Sequence, residues 1–181
     1  PMDLMEMIRN RRSVRTYRKG EIKEETLRKV LEAGLLAPSG RNRQPWELIV
    51  VRDPQTLKQL SECRAGGAAR MLASAAAAVV VTADSAKTDV WTEDCSNAMM
   101  LMHLTADAMG LGSCWIQGRL REAPDGRTAE EYVREILGYP EDFRLEAILS
   151  LGLPEEHPEA KTAAKELEKK VHWERYEGQV E

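Results

Sequence analysis

Along this chain of 181 residues, apolar positions recur at helical spacing in some stretches and at every second residue in others. Residues 3–10 (DLMEMIRN) predict a short helix capped by Asp3, with Leu4, Met7 and Ile8 on one face. Residues 23–36 predict a second helix, in which Leu27, Val30, Leu31, Gly34 and Leu35 form a buried stripe. It ends before Pro38, because the residue preceding a proline disfavours helix. Residues 39–45 (SGRNRQP) are a polar loop, and WELIVV at 46–51 is a strand. Asp53 followed by Pro54 opens another helix. In ASAAAAVVVTAD, residues 73–84, the alanines close a helix or linker and VVVT forms a short buried strand. Residues 89–109 predict the longest helix, apolar on nearly every side around Met99 and so placed centrally. Gly110 supplies its left-handed stop. Thr128 and Glu131 have capping-box spacing and open a helix that ends at Gly138 before Pro140. In FRLEAILSLG, the residues Phe143, Leu145, Ala147, Leu149 and Leu151 alternate as in a half-buried strand. From Glu155 the chain turns polar, an extended arm ending in KELEKKVHWERY. Three clear strands, unevenly separated by helices, predict α+β layers.

Composition narrows the function. An apolar content of 43% with 31% charged residues describes an ordinary globular protein. The length fits one domain, residues 1–154, with the arm at 155–181. A net charge of -4 argues against nucleic acid as a partner. No run of about 18 apolar residues predicts a membrane span. The charged amphipathic start does not read as a secretory signal, and Pro1 is given no role. Cys63, Cys95 and Cys114 match no disulfide or zinc framework, so reduced thiols in a cytoplasmic protein are expected. His157 and His172 lie far from any carboxylate-rich motif, and no metal site is predicted. His103, inside the apolar helix, reads as a satisfied core or interface histidine. Neither a G-x-G-x-x-G fingerprint nor a P-loop is present, so any nucleotide is held by another device.

One local feature stands against the acidic total: from Arg9 to Lys19, six of eleven residues are basic. Such a run can be a solvated face. It can also be an anion site, because Ser13 sits among Arg11, Arg12 and Arg15, and a hydroxyl beside guanidinium groups suits a phosphate. Gly40, Ser39 and Asn42 offer close backbone approach and side-chain hydrogen bonds in the polar loop. GLGSCWIQG at 110–118 carries three glycines, read as a helix stop and turn or as amides laid against a flat ring.

These stretches, RRSVRTY, APSGRNRQPWELIVV, GLGSCWIQG and VHWERY, resemble in order the FMN-dependent nitroreductase family, from about residue 5 to 176. The resemblance implies a nitroreductase-like α+β fold: a mainly antiparallel central sheet flanked by helices, with the C-terminal arm exchanged in a homodimer. It implies FMN at the subunit interface. Arg11, Arg12 and Ser13 resemble its phosphate and pyrimidine-side contacts, and Arg15 resembles the residue at the pyrimidine edge. Pro38, Ser39, Gly40, Asn42 and, beyond them, Gln44 resemble the loop that closes over the flavin from the partner. Ile116, Gln117 and Gly118 resemble the segment whose backbone amides lie near the hydride-carrying nitrogen. Arg70 falls where members place a cation near the flavin, and Lys165 is the arm residue assigned to the phosphate. The implied activity is ping-pong hydride transfer from NADH or NADPH through FMN to an electron-poor acceptor such as a nitroaromatic or quinone. No catalytic acid or base is required of the side chains. The alternatives are a flavin-binding or storage module, a reductive dehalogenase-like member and a flavin-fragmenting member.

Overall fold

The computed structural model describes residues 2–177; Pro1 and the last four residues of the arm, 178–181, lie outside the described residues. Helix α1 (Leu4–Asn10) starts as the capping pattern predicts, with Asp3 and Glu6 each accepting from the other's backbone amide. Strand β1 (Tyr17–Arg18) follows, then α2 (Glu24–Leu35), β2 (Trp46–Val51) and α3 (Pro54–Leu60), which Asp53 caps. Strand β3 (Ala77–Asp84), the long helix α4 (Trp91–Ala108), β4 (Gly112–Gln117), α5 (Ala129–Leu137) and β5 (Phe143–Pro154) complete the body. Thr128 caps α5, and Gly138 ends it with φ 76°. The arm carries α6 (Ala164–Lys170).

All the named strands pair antiparallel. They run β2, β3, β5, and β5 pairs on its other side with β4 and, at its end, with β1. Helices cover both faces. Residues Val79, Val81, Leu149 and Leu151 point into one core with Val30 of α2 and Met99 and Met102 of α4. The alternate residues Val80 and Ile148 point into a second core with Leu57 and Leu60 of α3 and Val133 of α5. The result is a three-layer α+β sandwich. Among the described residues no helix is long and apolar enough to cross a membrane.

The sequence reading needs correction at several points. Residues 112–117 form a strand, which neither reading of that glycine-bearing stretch includes; β1 is a further short strand. β5 is buried on both faces: Ala147, Leu149 and Leu151 enter one core, Ile148 and, across the bulge, Leu145 enter the other, and Ser150 and Gly152 lie against Tyr17. β3 is eight residues long, since its alanines extend the buried strand. Leu35 is half-exposed rather than part of the α2 stripe. Leu4 and Ile8 of α1, with Met5, remain largely exposed on this chain. The arm is also not detached throughout. Its root lies on its own chain, with Lys161 N donating to Arg9 O at 2.9 Å.

Gly112 and Gly152 are partners across β4 and β5, and the Tyr17 ring lies on both. A Cβ at Gly152 would stand 2.5 Å from Tyr17 Cγ. The ring cannot retreat easily, because its hydroxyl is hydrogen-bonded to Val14 O at 2.8 Å and Ser150 Oγ at 2.6 Å. Replacing Gly152→Ala is therefore expected to lower stability by about 1–3 kcal/mol, the usual cost of overpacking a tight core. Urea unfolding followed by circular dichroism measures it, and an unchanged midpoint would contradict the contact.

Candidate functional site

The basic segment is fixed by its two apolar residues. Val14 and Tyr17 are buried, and Val14 N donates to Ser113 O at 2.9 Å. Ser13 forms a parallel bridge with Ser113, so the segment runs beside the start of β4. With Val14 and Tyr17 turned in, Arg11, Arg12 and Ser13 stay half-buried and Arg15 exposed. Cys114 lies beneath them. Burial raises its thiol pKa, while Arg15, Ser13 and Arg11 pull it the other way.

The last two turns of α4 form the floor under this segment. Arg11 Nη1 is 3.1 Å from His103 Nε2, and His103 Nδ1 is 2.6 Å from Ser113 Oγ. Burial, helped by the Arg11 charge, pushes His103 down to about 4, against a smaller opposite pull from Asp107. Buried Asp107 accepts from Asn10 Nδ2 at 2.9 Å and from Arg12 N at 3.3 Å. His157 Nε2 lies 2.7 Å from its Oδ2. Arg12 Nη1 donates to Glu159 O at 2.5 Å, which ties the arm root to the same spot.

The polar loop sits at the other end of α4. Gly40 N donates to Asp94 Oδ1 at 2.9 Å, and Asn97 Nδ2 donates to Pro38 O at 3.4 Å. Within it, Gln44 N donates to Ser39 Oγ at 3.0 Å and Gln44 Nε2 donates to Asn42 Oδ1 at 2.9 Å. Arg41, Asn42 and Gln44 all have left-handed φ, at 53°, 55° and 49°. Three such residues within four positions are the kind of backbone strain that accumulates at functional sites. From Asp94 to His103, nine residues of helix span roughly 14 Å. Within one chain the loop and the basic segment are therefore separated.

Residues 116–118 close β4. By the alternation of an antiparallel ladder, Ser113, Trp115 and Gln117 turn their backbone groups away from β5. Gln117 O accepts from Arg64 Nη1 at 2.7 Å, which shows that outward edge. Gly118 N instead donates to Glu146 O at 3.2 Å, and Arg119 N does so at 3.0 Å. A Cβ at Gly118 would meet Leu145 Cδ2 at 2.5 Å, so only glycine allows this turn to lie so close. The Gln117 side chain is locked between Trp115 Nε1 and Arg119 O, each at 2.9 Å. Ile116 is buried beneath the strand. Beyond Arg64 opens a cavity of about 680 Å³ lined by Arg64, Arg70, Gly67, Tyr132 and neighbours. Arg70 Nη1 donates to Gly67 O at its wall.

Two buried carboxyls connect these parts. Asp94 has one oxygen on Gly40 and the other, Oδ2, buried without a hydrogen-bond partner. Glu146 sits where the β3–β5 register slips by one residue, a bulge that turns its side chain toward α4. Ser96 Oγ lies 2.6 Å from Thr92 O and 3.1 Å from Glu146 Oε2. The single hydroxyl hydrogen serves one of them, and a protonated Glu146 supplies the other bond itself.

The sequence-predicted residues thus fall into separate groups. Arg11, Arg12, Ser13 and Arg15 gather at the start of β4, and Ile116, Gln117 and Gly118 at its end, four residues or roughly 13 Å away. Arg70 lines the cavity beside that end. Pro38, Ser39, Gly40, Asn42 and Gln44 stand apart on the N-terminal half of α4. Lys165 lies on α6 in the arm and is exposed. Sequence reasoning missed Arg64, Asp107 and Glu146 as site residues, and took His103 only as a satisfied histidine. None belongs to a local motif; a basic residue directly after a buried cysteine was the only available hint of Arg64.

Comparison with known proteins gives concordant results. A profile described as the Nitroreductase family matches residues 8–67 and 61–153. A protein of Archaeoglobus fulgidus, provisionally named NADH dehydrogenase/NAD(P)H nitroreductase, is 40% identical over 85% of this chain and 87% of its own length. The structure of an FMN-dependent nitroreductase from Clostridium difficile R20291 superposes with a TM-score of 0.91 at 41% identity, covering 96% of this chain and all of that one. The NADPH:FMN oxidoreductase of Vibrio harveyi, solved with NAD+, gives a TM-score of 0.80 at 25% identity, covering 97% of this chain and 79% of that one.

Glu146 gives this region a measurable pH dependence. Burial raises its pKa above the ordinary 4.5, with Ser96 and Arg119 opposing and Glu93 reinforcing. The folded state therefore holds the proton more tightly than the unfolded chain. The stability this provides is complete below the unfolded value and is lost as pH rises through the folded one. Glu146→Gln, which keeps a neutral donor toward Ser96, should gain stability relative to the parent as pH rises from about 5 to about 8. Urea midpoints at the two pH values measure the gap; a constant gap would mean that Glu146 is ionised throughout.

Proposed function

The chain belongs to the nitroreductase family, and from that premise we propose that it is an FMN-dependent NAD(P)H oxidoreductase, working as a homodimer on small electron-poor acceptors such as nitroaromatics or quinones. The observation that carries this reading is the strip along β4. At its start, Arg11, Arg12, Ser13 and Arg15 come together where α4 has already prepared a polar floor. At its end, an outward backbone edge and a glycine in close packing meet an arginine-lined cavity. A phosphate fits the first and a flat polar ring the second, with a ribityl chain between them.

FMN, when bound, would supply the redox chemistry, hydride transfer between a nicotinamide and the acceptor. The chain's own residues hold and bias it. Guanidinium groups of Arg11 and Arg12 suit the phosphate, and charge-assisted bonds of this kind are about twice as strong as neutral ones. Arg64 and Arg70 place positive charge toward the ring end and so favour negative charge at the pyrimidine edge, and Arg15, two residues beyond Ser13 on a segment that sets out parallel to β4, extends that charge from the phosphate end toward the ring. Gln117, locked by Trp115 and Arg119 O, holds its outward amide without needing to reorder. Gly118 does not present its amide to the ring, because Glu146 O accepts it.

The homodimer draws support from what a single chain leaves uncovered. Leu4, Met5 and Ile8 on α1, Met100 on α4, and Leu167, Val171, Trp173 and Tyr176 on the arm are exposed, Trp173 and Tyr176 to 80% each. Apolar area of this kind stabilises a contact by about 25 cal/mol for each Å² covered. A second copy receiving the arm would cover it. The same arrangement lets the 38–44 loop, remote from the basic segment of its own chain, close over the partner's flavin. It also offers Lys165 a phosphate to reach. The three cysteines are free and buried, which fits a reducing, cytoplasmic setting.

Anaerobic stopped-flow mixing of the yellow holoprotein with NADH or NADPH tests the enzyme reading. Rapid bleaching, reversed by a nitroaromatic or quinone, is expected; a flavin that stays oxidised would favour a storage module instead. Arg11→Ala combined with Arg12→Ala is expected to weaken FMN binding by about 100-fold, given about 1.5–3 kcal/mol for a hydrogen bond to a charged group. The apoprotein should remain dimeric. Equilibrium dialysis and light scattering measure the two, and unchanged FMN retention would reject the phosphate assignment.

A further inference from the structure

Arg11 is the one residue of the basic segment whose guanidinium is held by an imidazole. We propose that His103 is a positioning residue for the phosphate site: a neutral imidazole whose Nε2 accepts from Arg11 and whose Nδ1–H is anchored on Ser113, so that the guanidinium stands ready for a phosphate. This rests on the FMN reading above and extends it to a residue that touches neither phosphate nor ring.

The hydrogen-bond arithmetic assigns the tautomer. A guanidinium has five N–H donors and no acceptor, so at 3.1 Å from Arg11 Nη1 the His103 Nε2 must carry a lone pair. A neutral ring then bears its proton on Nδ1, which lies 2.6 Å from Ser113 Oγ. Ser113 is fully buried within β4 and bridged to Ser13, so the anchor is part of the sheet rather than a mobile side chain. His103 itself is buried. Its surroundings oppose a second proton: burial first, then the Arg11 charge, with Asp107 one turn further along α4 as the weaker opposite influence. Only one of the five Arg11 donors is used in this contact, and the others remain for an anion. Arginine side chains carry large rotamer entropy, so a guanidinium already fixed in place binds an anion more tightly than a free one. A hydrophobic residue at 103 would remove that guide. A protonated imidazole would repel the arginine.

Three substitutions separate positioning from packing. In His103→Gln, the amide oxygen can reach the place of Nε2. In His103→Asn, the shorter amide reaches only the place of Nδ1. His103→Leu keeps volume alone. The affinities of each full-length variant, freed of flavin, for FMN and for riboflavin, which lacks the phosphate, are measured by fluorescence quenching. The expected result is that the Leu and Asn variants lose FMN affinity about tenfold or more, the size of one hydrogen bond to a charged group, with riboflavin affinity unchanged. The Gln variant should retain most of the preference for FMN. Equal loss of both ligands would show that His103 merely supports the fold and would overturn the proposal, as would undiminished FMN preference in both Leu and Asn variants. If Leu does not fold, Gln against Asn decides alone. A parent protein that binds riboflavin as tightly as FMN would instead defeat the phosphate reading on which this inference stands.

Discussion

A tyrosine ring resting on two facing glycines fixes the geometry of the whole site. Tyr17 can lie over β4 and β5 only because Gly112 and Gly152, paired across those strands, present no Cβ. Its hydroxyl then reaches Ser150 of β5 and Val14 O of its own segment. With Val14 and Tyr17 both turned inward, the intervening and preceding residues have no freedom to bury themselves. Ser13 must run beside Ser113, and the arginines must face the remaining space. The positive charge is concentrated by apolar anchoring, while the electrostatic repulsion among the arginines is relieved by groups that α4 provides.

Helix α4 does this at both ends. Its centre is pinned between sheet and α2 by Cys95, Ala98, Met99 and Met102, each fully buried. Polar residues are thereby displaced to the two ends. Asp94 and Asn97 hold the 38–44 loop, and His103 and Asp107 hold Arg11 and Arg12. One rigid rod thus sets the position of two elements roughly 14 Å apart. In the proposed homodimer these elements serve different flavins. A shift of α4 along its axis would then disturb the phosphate end of one site and the closing loop of the other.

What could be read from the sequence was what local chemistry writes locally. The caps Asp3, Asp53 and Thr128 and the stop Gly138 each act within a turn of helix, so their spacing alone reveals them. The antiparallel α+β fold and its relationship to a known family were legible from the ordered motifs. β4 was hidden because Gly110, Gly112 and Gly118 all look like turn residues, although Gly112 lies within the strand and serves close packing against Val14 and Tyr17. β5 was misjudged because the bulge at Glu146 breaks the alternation, sending Leu145 and Ile148 to the second core, where Ser150 and Gly152 are buried without any hydrophobic signal. The apolar stripe on α1 was visible, but Leu4 and Ile8 stay exposed on this chain. Arg64, Asp107 and Glu146 had no local signature, since each gains its role from residues about fifty or more positions away, or from a bulge.

The ring end of the strip shows why such distant partners matter. Gln117 could have been a flexible polar side chain that adapts to whatever binds. Instead Trp115 and the Arg119 carbonyl occupy its amide, Arg64 takes its backbone oxygen, and Glu146 accepts the next two backbone amides. These bonds are made before a ligand arrives, leaving the outward Gln117 amide and the remaining donors of Arg64 and Arg70 on a hydrogen-bonded frame. Dipoles fixed in advance stabilise developing charge without the reorganisation that water would require. Burial raises the Glu146 pKa above the ordinary carboxylate value, so the packing behind this turn itself resists a further negative charge.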